Sequence, residues 1–326
     1  FRLVLTTIVI FAFVISYIFF HDNPVVQVDP KFSFWVHLAN GILTTLLVIL
    51  LIKYYVDAAI NSENKLEEAN REITYKNEQI IQSISYAQRI QSAVMPDEYS
   101  LQEYFDDHFL FYIPKDIVSG DFFWVKEKGD YVLFTAADCT GHGVPGAFMS
   151  MLGITMLNEI SSGNRFENSA DILDRLRDKV KEALDQNKNA DTKDGMDMSL
   201  GMFHKKSRTL YWSGANNPLF LVRRGELKEY KADKQPIGQH MMEKPFTNHE
   251  ITLQNGDQLY MFSDGFPDQY GGPRNKKFMR KNFKNLLLKN SGKNMNQQKS
   301  LLNQAFLNWK KEGEQIDDVI VLGLRV

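Results

Sequence analysis

Two long apolar runs near the N-terminus constrain this chain more than its average composition does. Leu3 to Phe20 carries no charged residue, and in Phe34 to Val56 the strongly polar interruptions are His37, Asn40 and Lys53. A helix rises about 1.5 Å per residue, so each run is long enough to cross a hydrocarbon core of about 30 Å. The segment between them, His21 to Ser33, contains Pro24 and Pro30 and suits a turn at a membrane surface. Lys53, Tyr54 and Tyr55 close the second run with side chains that favour a lipid–water interface. A cleaved signal peptide would account for the first run only, and a buried hairpin in a soluble domain is the competing reading. Two spans would leave both chain ends on one side, with everything after residue 56 hanging from a membrane tether.

From Ala59 to Val94 there is neither glycine nor proline, and apolar residues recur every seventh position at Ala59, Leu66, Ile73, Ile80, Ala87 and Val94. The companion positions Asn70, Asn77, Ile84 and Gln91 hold one large hydrophobe among polar residues. This pattern predicts a parallel dimeric coiled coil, and hence a homodimer, with polar positions that set register at a cost in stability. An amphipathic helix lying on its own domain fits the same residues. Either is a lever of roughly 50 Å that Pro96 ends. The expected organisation is two transmembrane helices over 1–56, a signalling helix over 57–95 and a globular domain over 96–326.

The globular part alternates strand-like and helical patterns. Strands are expected at His108–Ile113, Asp121–Lys126, Tyr131–Ala137, Met196–His204, Thr209–Ser213, Leu219–Arg223, His249–Leu253, Gln258–Phe262 and Asp318–Leu324. Helices are expected at Pro145–Ile160, Ala170–Leu184, Lys276–Lys289 and Asn296–Lys310. Short turns such as Lys206-Ser207 and Arg224-Gly225 indicate antiparallel pairing. Helices that follow groups of strands in pairs argue against a doubly wound parallel sheet. The fold class is therefore α+β: packed antiparallel sheets with helices on their outer faces.

Charge narrows the function. Lys and Arg number 38 against 40 Asp and Glu, a formal net charge of -2, so no global positive field favours nucleic acid and none is expected as a partner. The single cysteine, Cys139, excludes an intramolecular disulfide framework, and no Cys/His cluster has structural-zinc spacing. What remains is carboxylate. Asp121 precedes Phe122-Phe123-Trp124, Asp138 follows Val132 to Ala137, Asp264 follows Leu259 to Phe262, and Asp317-Asp318 precedes Val319 to Leu322. One acid at a strand end is an ordinary transition to a turn. Four such sites point to hard divalent cations, Mg²⁺ or Mn²⁺, which prefer oxygen ligands. Two such ions sharing a carboxylate can polarise a phosphoryl oxygen and acidify a bridging water, so no protein nucleophile is needed. Consistent with that, Ser119, Ser213 and Ser263 lack a nucleophile elbow, and Thr140-Gly141-His142-Gly143 lacks the ending of a nucleotide phosphate loop.

The stretch ADCTGHGVPGAFM over 137–149 combines glycines that admit close backbone approach with Pro145 near a helix start. Its free amides can help hold an anion, and His142 reads equally as a proton carrier or a turn residue.

These residues resemble the metal-dependent serine/threonine protein phosphatase family (PP2C type), in particular its bacterial stage II sporulation protein E-like branch. The marks are PKDIVSGDFFW at 114–124, ADCTGHGVPGAFMS at 137–150, GANNPL at 214–219, SDG at 263–265 and DDVIVLGLR at 317–325. The resemblance covers about Ala87 to Val326. The resemblance implies an α-β-β-α sandwich with a binuclear Mn²⁺ or Mg²⁺ centre at one end. It assigns Asp138 as the bridging ligand, the Cys139 backbone carbonyl as support, and Asp264 and Asp317 as ligands of the other ion. Asp121 would lie by the second ion, and Asp318 would orient the Asp317 end. Cys139 stands where the family often has glycine, which is tolerable if only its carbonyl is used. Lys115 takes the place near the site where many eukaryotic relatives carry arginine. It reads as a phosphate contact, without arginine's bidentate geometry, or as a solvated lysine. Asn216 is expected to hold a turn.

The resemblance further implies hydrolysis of phosphoserine or phosphothreonine on a regulatory protein such as an anti-sigma factor antagonist. Taken with the two apolar runs, this places the chain in a bacterial cytoplasmic membrane, with the phosphatase domain expected in the cytoplasm. A catalytically silent signalling or scaffold module is the alternative. The basic run from Arg274 to Lys289 fits an acidic protein, a membrane surface or a solvated helix face.

Overall fold

The computed structural model describes Val14, Ile18 and residues 29–163, 166–185 and 194–326. The chain divides into two compact units, Phe1–Asn77 and Glu78–Val326. Helix α1 (Pro30–Val94) is 65 residues long. The apolar run and the seven-residue pattern, expected as separate elements meeting near residue 56, belong to this single helix. The physical reason is plain in the sequence: nothing between Ile42 and Met95 is a glycine or a proline, so no residue stops propagation. Pro30 opens it, where a missing N–H costs nothing, and Pro96 lies just beyond its end. Thr44 and Thr45 return their hydroxyls to the carbonyls of Asn40 and Gly41, which keeps those groups satisfied without water. Among the described residues α1 alone is long and apolar enough to cross a membrane. Of the other apolar run, Leu3 to Phe20, only Val14 and Ile18 are described, both helical and exposed.

The second unit contains two five-stranded sheets. One runs in the order β1 (Asp107–Ile113), β12 (Val319–Arg325), β9 (Gln258–Phe262), β6 (Leu219–Arg223), β7 (Glu226–Tyr230). The other runs β2 (Phe122–Lys128), β3 (Tyr131–Cys139), β4 (Met196–His204), β5 (Thr209–Ala215), β8 (His249–Thr252). Every pairing within them is antiparallel.

The side-chain period of two explains how the sheets stack. Phe123 and Val125 of β2, Val132, Phe134 and Ala136 of β3, and Ile320, Leu322 and Leu324 of β12 enter the core shared by both sheets. Their neighbours face outward. Phe122 and Trp124 meet α2 (Gly143–Ser162) and α3 (Ser169–Ala183). Val319, Val321, Phe109 and Phe111 meet α4 (Gly265–Asp268), α5 (Arg280–Asn290) and α6 (Met295–Lys310). Because both faces of each sheet are buried, the central strands read as nearly continuous apolar runs. Each buried phenylalanine, such as Phe266 or Phe283, contributes roughly 2–3 kcal/mol by removal from water. The result is the expected four-layer sandwich of two antiparallel sheets between helices.

Local signals set the boundaries. Asn168 caps α3 by accepting from the amides of Ala170 and Asp171 at 3.0 and 3.2 Å, and Asn294 caps α6 through the Gln297 amide. The helix expected to begin at Lys276 begins at Arg280 instead. Lys276 and Lys277 form strand β11, paired with β10 (Tyr270–Gly271), and Met279 adopts a left-handed φ of 75° that breaks any helix running through it.

Candidate active site

The acidic residues singled out from the sequence come together because the strands that carry them end at one edge of the sandwich. Asp121 immediately precedes β2, whose first residue, Phe122, pairs with Ala137 of β3. Asp138 is the penultimate residue of β3, one position inside the strand rather than beyond it. On the facing sheet, Asp264 follows β9 and Asp317-Asp318 precedes β12. Ser263 joins these two turns: its amide donates to the Ile320 carbonyl, and its hydroxyl accepts from the Ile320 amide at 3.1 Å.

Close backbone contacts make the convergence possible. A Cβ on Gly120 would lie 2.6 Å from the Gly141 carbonyl oxygen, and one on Gly146 would meet Gly120 itself, so the loop before Asp121 rests directly on the start of α2. A Cβ on Gly265 would overlap the Asp318 carbonyl, so the two acidic turns of the first sheet stack only because residue 265 has no side chain.

The electrostatics are those of a concentrated anionic site. Burial pushes the Asp121 carboxyl well above the usual range, and Asp138 beside it adds to the shift. Burial likewise raises Asp138, reinforced by the charges of Asp264, Asp197 and Asp317. Asp264 and Asp317 are raised by the same cause, Asp264 further by the charges of Asp268 and Asp317, and Asp317 by that of Asp318. Asp121 is 2 % exposed and its Oδ2 has no hydrogen-bond partner. Buried carboxylates that repel one another and leave an oxygen unpaired are the donor chemistry of a hard divalent cation. Among the described residues, no three His, Cys, Asp or Glu side chains are already drawn together at ligating distance. The set therefore fits a cation by chemistry and position and is not a closed cage. The buried Cys139 thiol is pushed up by its surroundings, which leaves the Cys139 carbonyl as its useful donor.

Asp318 behaves differently from Asp317. Its buried carboxylate accepts from the Lys115 amide and the Gly120 amide, both at 2.8 Å, and so ties both ends of the loop between β1 and β2 to the start of β12. At the rim, the Lys115 Nζ lies 2.9 Å from His142 Nε2, and His142 Nδ1 lies 2.7 Å from Asp116 Oδ2. His142 occupies the N-cap position of α2 without capping it through its side chain; it links Asp116 to Lys115. Asn216 takes a left-handed φ of 55° and donates to Asp197 Oδ1 at 2.8 Å, consistent with a turn-holding role.

Three residues here escaped the sequence reading. Asp197 sits directly across from Asp138 in the β3–β4 register, and burial pushes its carboxyl up to about 6. Its only signal was an acid between Met196 and Met198 in a strand otherwise buried. Asp116 lay in a loop with no distinguishing pattern. Gln91, read as a coiled-coil position, is the buried residue of α1 and contacts the loop before Asp121.

The sequence profile of the stage II sporulation protein E (SpoIIE) family matches residues 128–326. Among solved structures, the PP2C domain of SiaA from Pseudomonas aeruginosa superposes with a TM-score of 0.70 at 28% identity, covering 77% of this chain and 98% of that one. The PP2C phosphatase domain of SpoIIE from Bacillus subtilis, with a fragment of its regulatory domain, gives 0.54 at 20% identity over 68% of this chain and 63% of that one. The RsbU and RsbW domains of a Mycobacterium tuberculosis protein give 0.54 at 20% identity over 67% and 59%. The last two likenesses are evidence of fold. No curated protein is similar enough to match the chain.

Proposed function

The chain belongs to the SpoIIE family, with the fold of PP2C-type serine/threonine phosphatases, and on that premise we propose that it hydrolyses phosphoserine or phosphothreonine on a regulatory protein, with two Mn²⁺ or Mg²⁺ ions as cofactors. The observation that carries this reading is the convergence of Asp121, Asp138, Asp264 and Asp317 from both sheets at one edge, each carboxyl raised by burial and by its neighbours. Asp264 and Asp317 would hold one part of the metal centre, Asp121 and the Cys139 carbonyl the other, and Asp138 would serve both. When bound, the ions supply Lewis acidity toward phosphoryl oxygens and acidify the attacking water.

The protein's own groups do the rest. Asp318 fixes the backbone on either side of the Asp121 loop, and Ser263 locks the Asp264 turn to the Asp317 strand. Lys115 stands at the rim as a point charge for the incoming phosphate, oriented by His142, which Asp116 pins in turn. Lys115 is half-buried and His142 exposed, so both are open to an incoming phosphoprotein.

An anti-sigma factor antagonist is the substrate class that the family membership favours. For the rest of the chain, the reading is a bacterial cytoplasmic-membrane anchor over 1–56, a signalling helix over 57–95 that dimerises through Leu66, Ile73 and Ile80, and a cytoplasmic phosphatase domain over 96–326. The exposure of those three side chains along an unbroken α1 supports it.

The test is turnover of a phosphoserine peptide by the full chain, with Mn²⁺, with Mg²⁺ and after chelation, alongside Asp138→Asn. Metal-dependent release of phosphate that the variant lacks is the expected result. A folded chain inactive under all metal conditions would favour the silent scaffold, whose one supporting observation is that no three acidic side chains stand at ligating distance among the described residues.

A further inference from the structure

The geometry points to Gln91, at the end of the long helix, as the positioning residue that sets the Asp121 side of the metal centre. The inference rests on the metal reading above and goes beyond it to a residue that touches neither substrate nor ion.

Most of α1 is exposed; Gln91, 4 % exposed, is its buried residue among those described. A glutamine is an expensive side chain to enclose unless each of its polar atoms is matched. Here they are matched, and all by the site loop and the helix behind it. Nε2 donates to the Ser119 carbonyl at 2.6 Å and to Ser150 Oγ of α2 at 2.8 Å, while Oε1 accepts from the Ser119 amide at 3.2 Å. The Ser119 peptide is thus gripped at its N–H and its C=O by one amide group, as in a strand pairing made by a side chain. From Ser119 the connection to Asp121 is immediate: Ser119 Oγ accepts from the Asp121 amide at 3.0 Å. Ser150 also donates to the Ser119 carbonyl at 3.3 Å, so α2 shares the grip.

Gly120 has little other freedom, since its amide is held by Asp318 and its Cα is pressed against Gly146. The orientation of Asp121 is therefore fixed from two directions, by Asp318 on the sheet side and by Gln91 on the helix side. Removing the second would leave the carboxylate in place on average but broaden its range. Loss of a group hydrogen-bonded directly to a ligand typically changes metal affinity by about 10- to 100-fold; Gln91 acts one step further out, through Ser119, so the low end of that range is expected.

The experiment measures Mn²⁺ binding to the full chain by calorimetry, with no substrate present, for Gln91→Met and for Gln298→Met. Gln298 is equally buried and bonded to Tyr260, Gln258 and the Lys293 carbonyl, but it lies in α6. The expected result is about tenfold or greater weakening of Mn²⁺ binding in Gln91→Met, against less than twofold in Gln298→Met at a comparable loss of melting temperature. Ser119→Ala, which removes the hydroxyl contact to Asp121 without disturbing the helix, is expected to weaken binding in the same direction and carries the test if Gln91→Met does not fold. Wild-type affinity in folded Gln91→Met, or in Ser119→Ala if that variant carries the test, overturns the positioning role. A wild-type chain that binds no Mn²⁺ overturns the metal reading itself, and this inference with it.

Discussion

Asp197 offers a direct measure of how strongly the site resists its own charge. Burial holds its carboxyl at about 6, against 3.8 for a solvated aspartate, with Asp264 adding to the shift and the Asn216 amide opposing it. The folded state thus keeps the proton longer than the unfolded chain. Its penalty is absent below about pH 4, grows by about 1.4 kcal/mol per pH unit as pH rises toward 6, and is complete above that, reaching about 3 kcal/mol. Asp197→Asn abolishes the titration while keeping an oxygen that can accept from Asn216. In urea unfolding of the unit Glu78–Val326 with chelator present, the variant is expected to match the parent near pH 4 and to exceed it by about 3 kcal/mol at pH 7.5. Saturating Mn²⁺ should shrink the gap, because a cation compensates the same charge. A stability difference that stays constant from pH 4 to 7.5 would refute the reasoning.

Other predictions concern packing, phosphate attraction and helix phase. Gly265→Ala places a methyl group on the Asp318 carbonyl and should lower the melting temperature by roughly 5 °C; an unchanged melt would mean that the two turns separate without cost. Lys115→Ala should raise KM for a phosphopeptide about fivefold at low salt and leave kcat within about twofold, the signature of a lost rim charge; a fall in kcat alone would count against it. Two residues inserted after Glu78 turn the downstream part of α1 by about 200°, whereas seven nearly restore phase. Membrane-bound activity should change with the first insertion and recover with the second, and equal activity in all forms would reject phase-dependent coupling.

Much of the sandwich was legible because its strands are apolar runs bounded by turn residues, and the acids at four of those bounds marked the candidate site. The terminal signals were good to within a few residues at β4, β6 and β9, whose bounds match the expected ones. What was not legible depended on register or distance. Asp197 acquires its meaning only from lying opposite Asp138. The basic residues at Lys276 and Lys277 carry helix propensity, but Gly271 and Gly272 stacked on Trp309 shape a hairpin there first. The seven-residue pattern correctly announced a long helix, yet counted Gln91 among coiled-coil positions, because the sequence does not reveal that Ser119 and Ser150 enclose it. In the same way, Asp116, His142 and Lys115 form a chain only once a loop and a helix start are side by side.

The placement of β12 between β1 and β9 sets a timetable for biosynthesis. Every other strand of both sheets leaves the ribosome earlier, yet the sheet containing β1 has a gap at its second position until Val319–Arg325 arrives. Asp317 and the Asp318 clamp on the Lys115 and Gly120 amides come with it, from about two hundred residues downstream. A nascent chain would thus carry its long helix, and any anchor that helix provides, well before it could possess a working centre. The proposed centre, and any turnover that depends on it, therefore cannot form before this strand has been made.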